Sequence, residues 1–573
     1  MNTKLAMVHG PNEPPLWNKT VGSLIDEQAS RYETHLAAIF PWQSVRLTYR
    51  QLADRSKIVA RALLEMGLRN GDCVGIMAGN CHQYLEIFLG GGRVGCPVVV
   101  LNNTYTPEEL KNAVQRSSCK LVVIASCIGS KDLSGHIQTL RGVGSTNPKV
   151  PELRRVVCLD DTVIQDTGVE LQFYNSFTAN GYLTFQDDSL LKRAEADVHP
   201  EDVLNLQFTS GTTGSPKAAM LTHNNLLNNA RFVGDAMQLS LDDVVCCPPP
   251  LFHCFGLVLG FLASYTHGSS IVFPSDFFDV RKVVDAIMIE DATVLLGVPT
   301  MYVAELEVMS KTNQRPRRLR TGLASGSVVS RGLMDQLRQK MGVESMLIAY
   351  GMTETSPVTF ITALNDPLSK ATTTVGRIIP HTSAKVIDKN GNLLRRGERG
   401  ELCTSGFALQ KGYWKNQEKT MEVMKPDENG VLWMHTGDEA QLDDDGYAHI
   451  TGRIKDMIIR GGENIFPREI EERIVQHPSI SEASVVGIHD ERYGEVVGCF
   501  VKAVNEARPS DEELRQWVGK LLGSHKAPVY SFWIGDAAVG VDFPKTGSGK
   551  HQKHIMRDIG NRLVHKGPVK AKL

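Results

Sequence analysis

The sequence has no C-x-x-C pair, no H-E-x-x-H, no run of ~20 apolar residues and no block of like charge. The first two absences remove zinc-ribbon, thioredoxin-like and metalloprotease readings. The third removes a membrane-spanning helix; the nearest approach, Leu251–Tyr265 (LFHCFGLVLGFLASY), is too short and carries His253, so it predicts a buried helix. The fourth, with 62 basic against 64 acidic residues and a formal charge of -2, removes the basic field of a nucleic-acid binder. The segment MNTKLAMVHGPNEPP at the start has no apolar core of a secretory signal. With an odd count of 11 cysteines, this predicts free thiols in a reducing compartment. Repeats and low-complexity tracts are also lacking.

What remains is an ordinary globular composition, 42% hydrophobic and 22% charged. At 573 residues the chain is too long for one core, so at least two domains are expected. The first ~450 residues alternate apolar runs, such as Lys120–Ser126, Val203–Phe208 and Ala292–Val298, with helical patterns. That alternation predicts α/β architecture with largely parallel sheets. Thr106-Pro107-Glu108-Glu109 reads as a capping box with proline at the first helical position, and Thr222 as the cap of a helix beginning at His223. Composition changes after Ile450. A helix over Arg468–Val475, strands over Ser484–Ile488 and Val496–Lys502, and a helix over Asp511–Leu522 then predict a compact α+β domain. The expected division is a large multi-sheet α/β domain over 1–452 and a smaller α+β domain over 457–573.

Two glycine-rich stretches mislead. Gly90–Gly95 matches G-x-G-x-x-G, but a helical pattern precedes it and the strand-like CPVVVL follows, the reverse of a dinucleotide site. It predicts close helix packing instead. Gly547-Ser548-Gly549-Lys550 lacks both the leading Gly and the following Ser or Thr of a Walker A loop.

Thr209–His223 (TSGTTGSPKAAMLTH) is different. It directly follows the strand-like VLNLQF and sets Thr209, Ser210, Gly211, Thr212, Thr213, Gly214, Ser215 and Lys217 within nine positions. Glycines let backbone N–H groups approach phosphate oxygens, hydroxyls add donors, and lysine adds charge. The segment resembles the phosphate loop of the adenylate-forming superfamily, which includes acyl-CoA synthetases, aryl-CoA ligases, beetle luciferases and peptide-synthetase adenylation domains. Similar family segments follow in order: Pro250–Gly256 (PLFHCFG), Tyr350–Thr355 (YGMTET), Trp433–Ala440 (WMHTGDEA), Gly452–Pro467 (GRIKDMIIRGGENIFP) and Pro544–Lys550 (PKTGSGK). They span almost the whole chain. SPVTF and DMIIRGGENIFP look closest to the medium-chain fatty acyl-CoA synthetase branch.

The resemblance implies an ATP-dependent acid:CoA ligase that forms an acyl-adenylate and then an acyl-CoA thioester, on a medium-chain or modified fatty acid. It implies that Thr209–Lys217 hold the β- and γ-phosphates of ATP, that Glu354 ligates Mg²⁺, that Thr353 and Thr355 place hydroxyls near the α-phosphate, and that Tyr350 belongs to the nucleotide site. Asp438 takes the ribose hydroxyls with Arg453 beside the nucleotide, and Lys550 reaches the α-phosphate. His253 gates the carboxylate. Gly461, Gly462 and Glu463 face the pantetheine arm of coenzyme A. Asp456 is the hinge, near 453–456, about which the small domain turns between half-reactions. Ser325-Gly326-Ser327-Val328 departs from the family's small-small-Pro turn by its valine. Phe255 stands where amino-acid-activating relatives carry an aspartate, which disfavours peptide-synthetase function. Two alternatives stay open: an acyl-AMP ligase serving a carrier protein, and a nucleotide-binding pseudoenzyme. Ala571-Lys572-Leu573 resembles the S-K-L address read by the peroxisomal import receptor, so the expected location is the peroxisome, with the cytoplasm as alternative.

Overall fold

The computed structural model describes residues 4–141, 152–160, 171–183, 188–209, 216–325, 331–461, 463–504, 508–546 and 549–565. They form two compact units. The larger comprises Val8–Ala384 and Thr404–Met434, and the smaller Met1–Met7, Lys385–Cys403 and His435–Leu573.

The larger unit is built on two sheets with helices between strands. One has seven strands in the spatial order 172–173, 155–158, 121–124, 74–77, 98–100, 203–209 and 217–222. The other has nine, with Ser345–Gly351, Thr321–Ser325, Val294–Gly297, Val244–Cys246 and Ser270–Val272 adjacent and parallel at its centre. Antiparallel strands occur toward the edges, among them Lys217–Thr222. The alternating pattern of the sequence thus gives the expected α/β class, because helical crossovers return the chain in the same direction and cover both faces.

Local signals act where they were read. Thr106 caps the helix Pro107–Ser117 and Thr222 caps His223–Met237, each with reciprocal bonds to the third helical residue. Gly90–Gly92 lie in the helix His82–Arg93. A Cβ on Gly90 would come within 2.7 Å of Val59, and one on Gly92 within 2.5 Å of Leu204 and Val21. Those glycines allow the helix to approach its neighbours closely. The apolar run after His253 is a buried helix, as expected, but Phe255–Leu262 is wound as a π-helix before one α-turn, Ala263–His267. Among the described residues no helix is long and apolar enough to cross a membrane.

The smaller unit contains a five-stranded sheet that includes Ile480–Asp490, Gly494–Ala503 and Tyr530–Trp533. Successive strand residues point to opposite faces. Val485, Val497, Cys499 and Val501 face the helices Pro467–Val475 and Asp511–Leu522, and Val486, Ile488, Val496 and Phe500 face Lys553–His565.

Candidate active site

In the larger unit Thr209 ends one strand and Lys217 begins the next, directly opposite it in the antiparallel register. The Thr209 hydroxyl donates to the Lys217 carbonyl at 3.4 Å. Ser210, Gly211, Thr212, Thr213, Gly214 and Ser215 lie outside the described residues. Segment 411–414 runs beside the second strand. The Met220 N–H donates to the Gly412 carbonyl, and the Trp414 N–H to the Ala218 carbonyl. This pairing brings Tyr413 under the lysine: the Lys217 ammonium stands 5.1 Å from the ring centroid. The Tyr413 hydroxyl donates to Glu354 Oε1 at 2.8 Å. Burial and the adjacent Glu354 carboxylate push the Tyr413 phenol far above its usual range, so it remains a neutral donor. A cation, a phenol and a carboxylate therefore form one row. Lys217 also lines a cleft of about 630 Å³ with Arg116, Pro216, Trp414 and Lys415.

Glu354 is buried, in the short 3₁₀ turn Thr353–Thr355 that follows the strand Ser345–Gly351 carrying Tyr350. Its hard carboxylate oxygens suit Mg²⁺. Thr353 is half-buried, whereas Thr355 is buried. The Thr355 hydroxyl donates to the Pro357 carbonyl at 2.8 Å and accepts from the Thr359 hydroxyl at 3.1 Å. In this structure Thr355 ties down the loop that presents Glu354. His253 is half-buried ahead of the π-helix, and its Nδ1 accepts the Phe255 N–H at 3.2 Å, which leaves the ring proton on Nε2.

In the smaller unit Asp438 and Arg453 face each other on paired strands, with Arg453 Nε 2.7 Å from Asp438 Oδ1. Asp438 is 4% exposed. Its support comes from Glu401, a residue outside the motif. Glu401 Oε1 accepts the Gly437 N–H at 3.2 Å, and Glu401 Oε2 lies 2.9 Å from His435 Nδ1. Gly437 has φ +69°, the left-handed conformation that glycine adopts without strain. The Cys403 thiol completes this group, the three ligating atoms lying within 4.8 Å of one another. The available signal was Glu401 and Cys403 two residues apart on one strand, hence on the same face.

Lys550 is exposed at the end of a tight turn. Its carbonyl accepts the Thr546 N–H at 2.8 Å, and its N–H donates to Thr546 Oγ1 at 3.1 Å. Gly547 and Ser548 lie outside the described residues. Asp456 ends a 3₁₀ turn, Ile454–Asp456. Gly461 has φ +58°, and Glu463 is exposed on the strand Glu463–Ile465; Gly462 lies outside the described residues, as do Ala571–Leu573. Of the residues singled out from sequence, the structure thus brings Lys217 and Glu354 together through Tyr413, and Asp438 together with Arg453.

Residues 25–414 match the model of the AMP-binding enzyme family, and residues 469–550 that of the AMP-binding enzyme C-terminal domain. The chain belongs to the AMP-binding enzyme family. Within that family it is 47% identical over 579 residues to the acyl-CoA ligase sidI of Beauveria bassiana (strain ARSEF 2860), covering 100% of this chain and 97% of the relative. It is 35% identical over 563 residues to the mitochondrial medium-chain acyl-CoA ligase ACSF2 of Danio rerio, covering 96% and 90%. The crystal structure of ATP-bound MatB from Rhodopseudomonas palustris superposes with a TM-score of 0.77 at 26% identity, covering 95% and 100%. Like the other AMP-binding enzymes it resembles, the chain has a large α/β unit and a smaller α+β one.

Proposed function

We infer that this protein is an ATP-dependent acid:CoA ligase. The observation that carries this reading is end-to-end similarity to acyl-CoA ligases. The Lys217–Tyr413–Glu354 row supports it, because joining a carboxylate to ATP requires positive charge where two anions meet.

In the first half-reaction a carboxylate oxygen attacks the α-phosphorus of ATP and the bond to pyrophosphate breaks. Lys217 and the loop from Thr209 hold the β- and γ-phosphates, and Lys550 neutralises charge growing on the α-phosphate. Glu354 would hold Mg²⁺, oriented by the Tyr413 hydroxyl; the ion supplies further charge neutralisation. Tyr350 and Thr353 border the α-phosphate. Asp438 receives the ribose hydroxyls with Arg453 beside it. His253 stands at the carboxylate. In the second half-reaction the CoA sulfur attacks the acyl carbon, the C–O bond to AMP breaks, and the thiol proton goes to solvent. No protein nucleophile is needed. Gly461, Gly462 and Glu463 flank the pantetheine arm, and the chain pivots at Asp456 between the two steps.

The acid is a medium-chain or modified fatty acid; the Danio rerio relative is a medium-chain acyl-CoA ligase. Ala571-Lys572-Leu573 addresses the protein to the peroxisome, and a reporter bearing this tail that stayed cytosolic would contradict that. Pyrophosphate release with ATP, Mg²⁺ and a panel of carboxylic acids, with and without CoA, tests the activity. A CoA-dependent thioester is expected. Release without thioester would point to a carrier-protein acceptor, and silence with every acid to a pseudoenzyme.

A further inference from the structure

Glu305 breaks the pattern of its own helix. Pro299–Thr312 exposes Val303 by 46% yet buries Glu305 completely, on the same inward face as Tyr302, Leu306 and Met309. Both Glu305 carboxyl oxygens are buried and lack a hydrogen-bond partner among the described residues. Buried polar groups are almost always paired, and an unpaired one marks a missing partner or a functional exception. Among the described residues no cation compensates it. The ionisable groups that feel its charge are the equally buried Tyr302 phenol and Cys246 thiol, each of which it helps push upward. Burial alone raises the Glu305 carboxyl to about 8, so it stays protonated near neutrality and can both donate and accept.

Its position gives the missing partner a location. Cys246 is the last residue of the parallel strand Val244–Cys246, whose continuation leads to His253. Neighbouring parallel strands end at Gly297, which leads into the Glu305 helix, at Ser325, and at Gly351, which leads to Glu354. One turn before Glu305, the Tyr302 hydroxyl donates to the Leu323 carbonyl at 2.8 Å and so fixes this helix against those strands. In open α/β sheets ligands occupy the crevice at the carboxyl ends of the strands. Glu305 lies on the helix that leaves this row of strand ends, close enough to Cys246 for the thiol to feel its charge.

We propose that Glu305 is a specificity-determining residue of the acyl site, its carboxyl group hydrogen-bonding a hydroxyl carried on the chain of the acid substrate. The inference rests on the acid:CoA ligase reading and narrows its substrate class from fatty acids at large to hydroxylated ones. A site built to pair a substrate hydroxyl discriminates strongly against the analogue that lacks it, because its own polar group is then left bare. An enclosed water is the other partner a buried carboxyl can recruit. In that case Glu305 would leave acid selectivity untouched.

The test compares wild type, Glu305→Gln and Glu305→Met on octanoic acid and its monohydroxylated isomers, reading kcat/KM for thioester formation. Wild type is expected to favour at least one hydroxylated isomer over octanoic acid by roughly tenfold or more. Glu305→Met should collapse that ratio toward one, and Glu305→Gln, which keeps a donor and an acceptor, should retain part of it. A wild type without such a preference, or an equal ratio in all three proteins, would overturn the proposal even if Glu305→Met failed to fold. Absence of pyrophosphate release from every acid in wild type would instead overturn the ligase reading, and this inference with it.

Discussion

Glu354 and Lys550 carry opposite charges in opposite surroundings. Glu354 is buried in the larger unit, its carboxylate bonded to Tyr413 and its own carbonyl to the Gln410 N–H. Lys550 is exposed in the smaller unit, its backbone carbonyl and N–H bonded to Thr546. A charge that must hold one position throughout a reaction gains from rigid neighbours, since preorganisation removes reorganisation cost at the moment of charge transfer. A charge needed in only one of two steps gains from a loosely held backbone. On the proposed mechanism, this contrast in burial separates a group that stays from one that arrives.

The contrast can be broken by substitution. The largest effect is expected for Lys550→Ala. It should slow acyl-adenylate formation roughly 10²–10³-fold while largely sparing thioester formation from supplied acyl-adenylate, measured as two separate half-reactions. Equal loss in both would mean that Lys550 does not come and go. Glu354→Ala should cost about 10²-fold in adenylation with a higher Mg²⁺ requirement, read from a Mg²⁺ titration of pyrophosphate release. Tyr413→Phe removes one hydrogen bond to a charged group. A loss of about 2 kcal/mol, or roughly thirtyfold in kcat/KM for ATP, would show that Glu354 needs its orienting partner.

Burial also sets a pH dependence. The Glu305 carboxyl is held protonated up to about 8 in the fold but ionises near 4.5 once unfolded. Its contribution to stability is therefore complete below 4.5 and is lost as pH rises toward 8. Relative to Glu305→Gln, wild type should lose up to about 1.4 kcal/mol per pH unit in that window, measured by denaturant unfolding. An identical pH slope in both proteins would refute this. The smallest effect is expected at the cap of the helix that follows the phosphate-loop strands: Thr222→Ala should destabilise by ~1 kcal/mol.

Much of this was legible along the chain because it is local. The Thr106 and Thr222 caps depend on residues three positions apart, and the helix Asp511–Leu522 has the bounds its pattern predicts. The close packing of Gly90–Gly92 followed from the order of the elements around them. What was not legible needs the third dimension. Tyr413 meets Glu354 across 59 residues, through a strand pairing that no local pattern announces. The π-helix at Phe255–Leu262 is apolar all round, so its sequence holds no period from which to read its winding. Glu305 looks like an ordinary surface glutamate until the helix is seen to present it inward.

The most direct test of the chemistry is the fate of carboxylate oxygen. The acid, labelled with oxygen-18 in its carboxylate, is turned over with ATP, Mg²⁺ and CoA, and the nucleotide and phosphate products are weighed by mass spectrometry. An acyl-adenylate route predicts one labelled oxygen in AMP and none in pyrophosphate. Label in inorganic phosphate, with ADP as the nucleotide product, would contradict it.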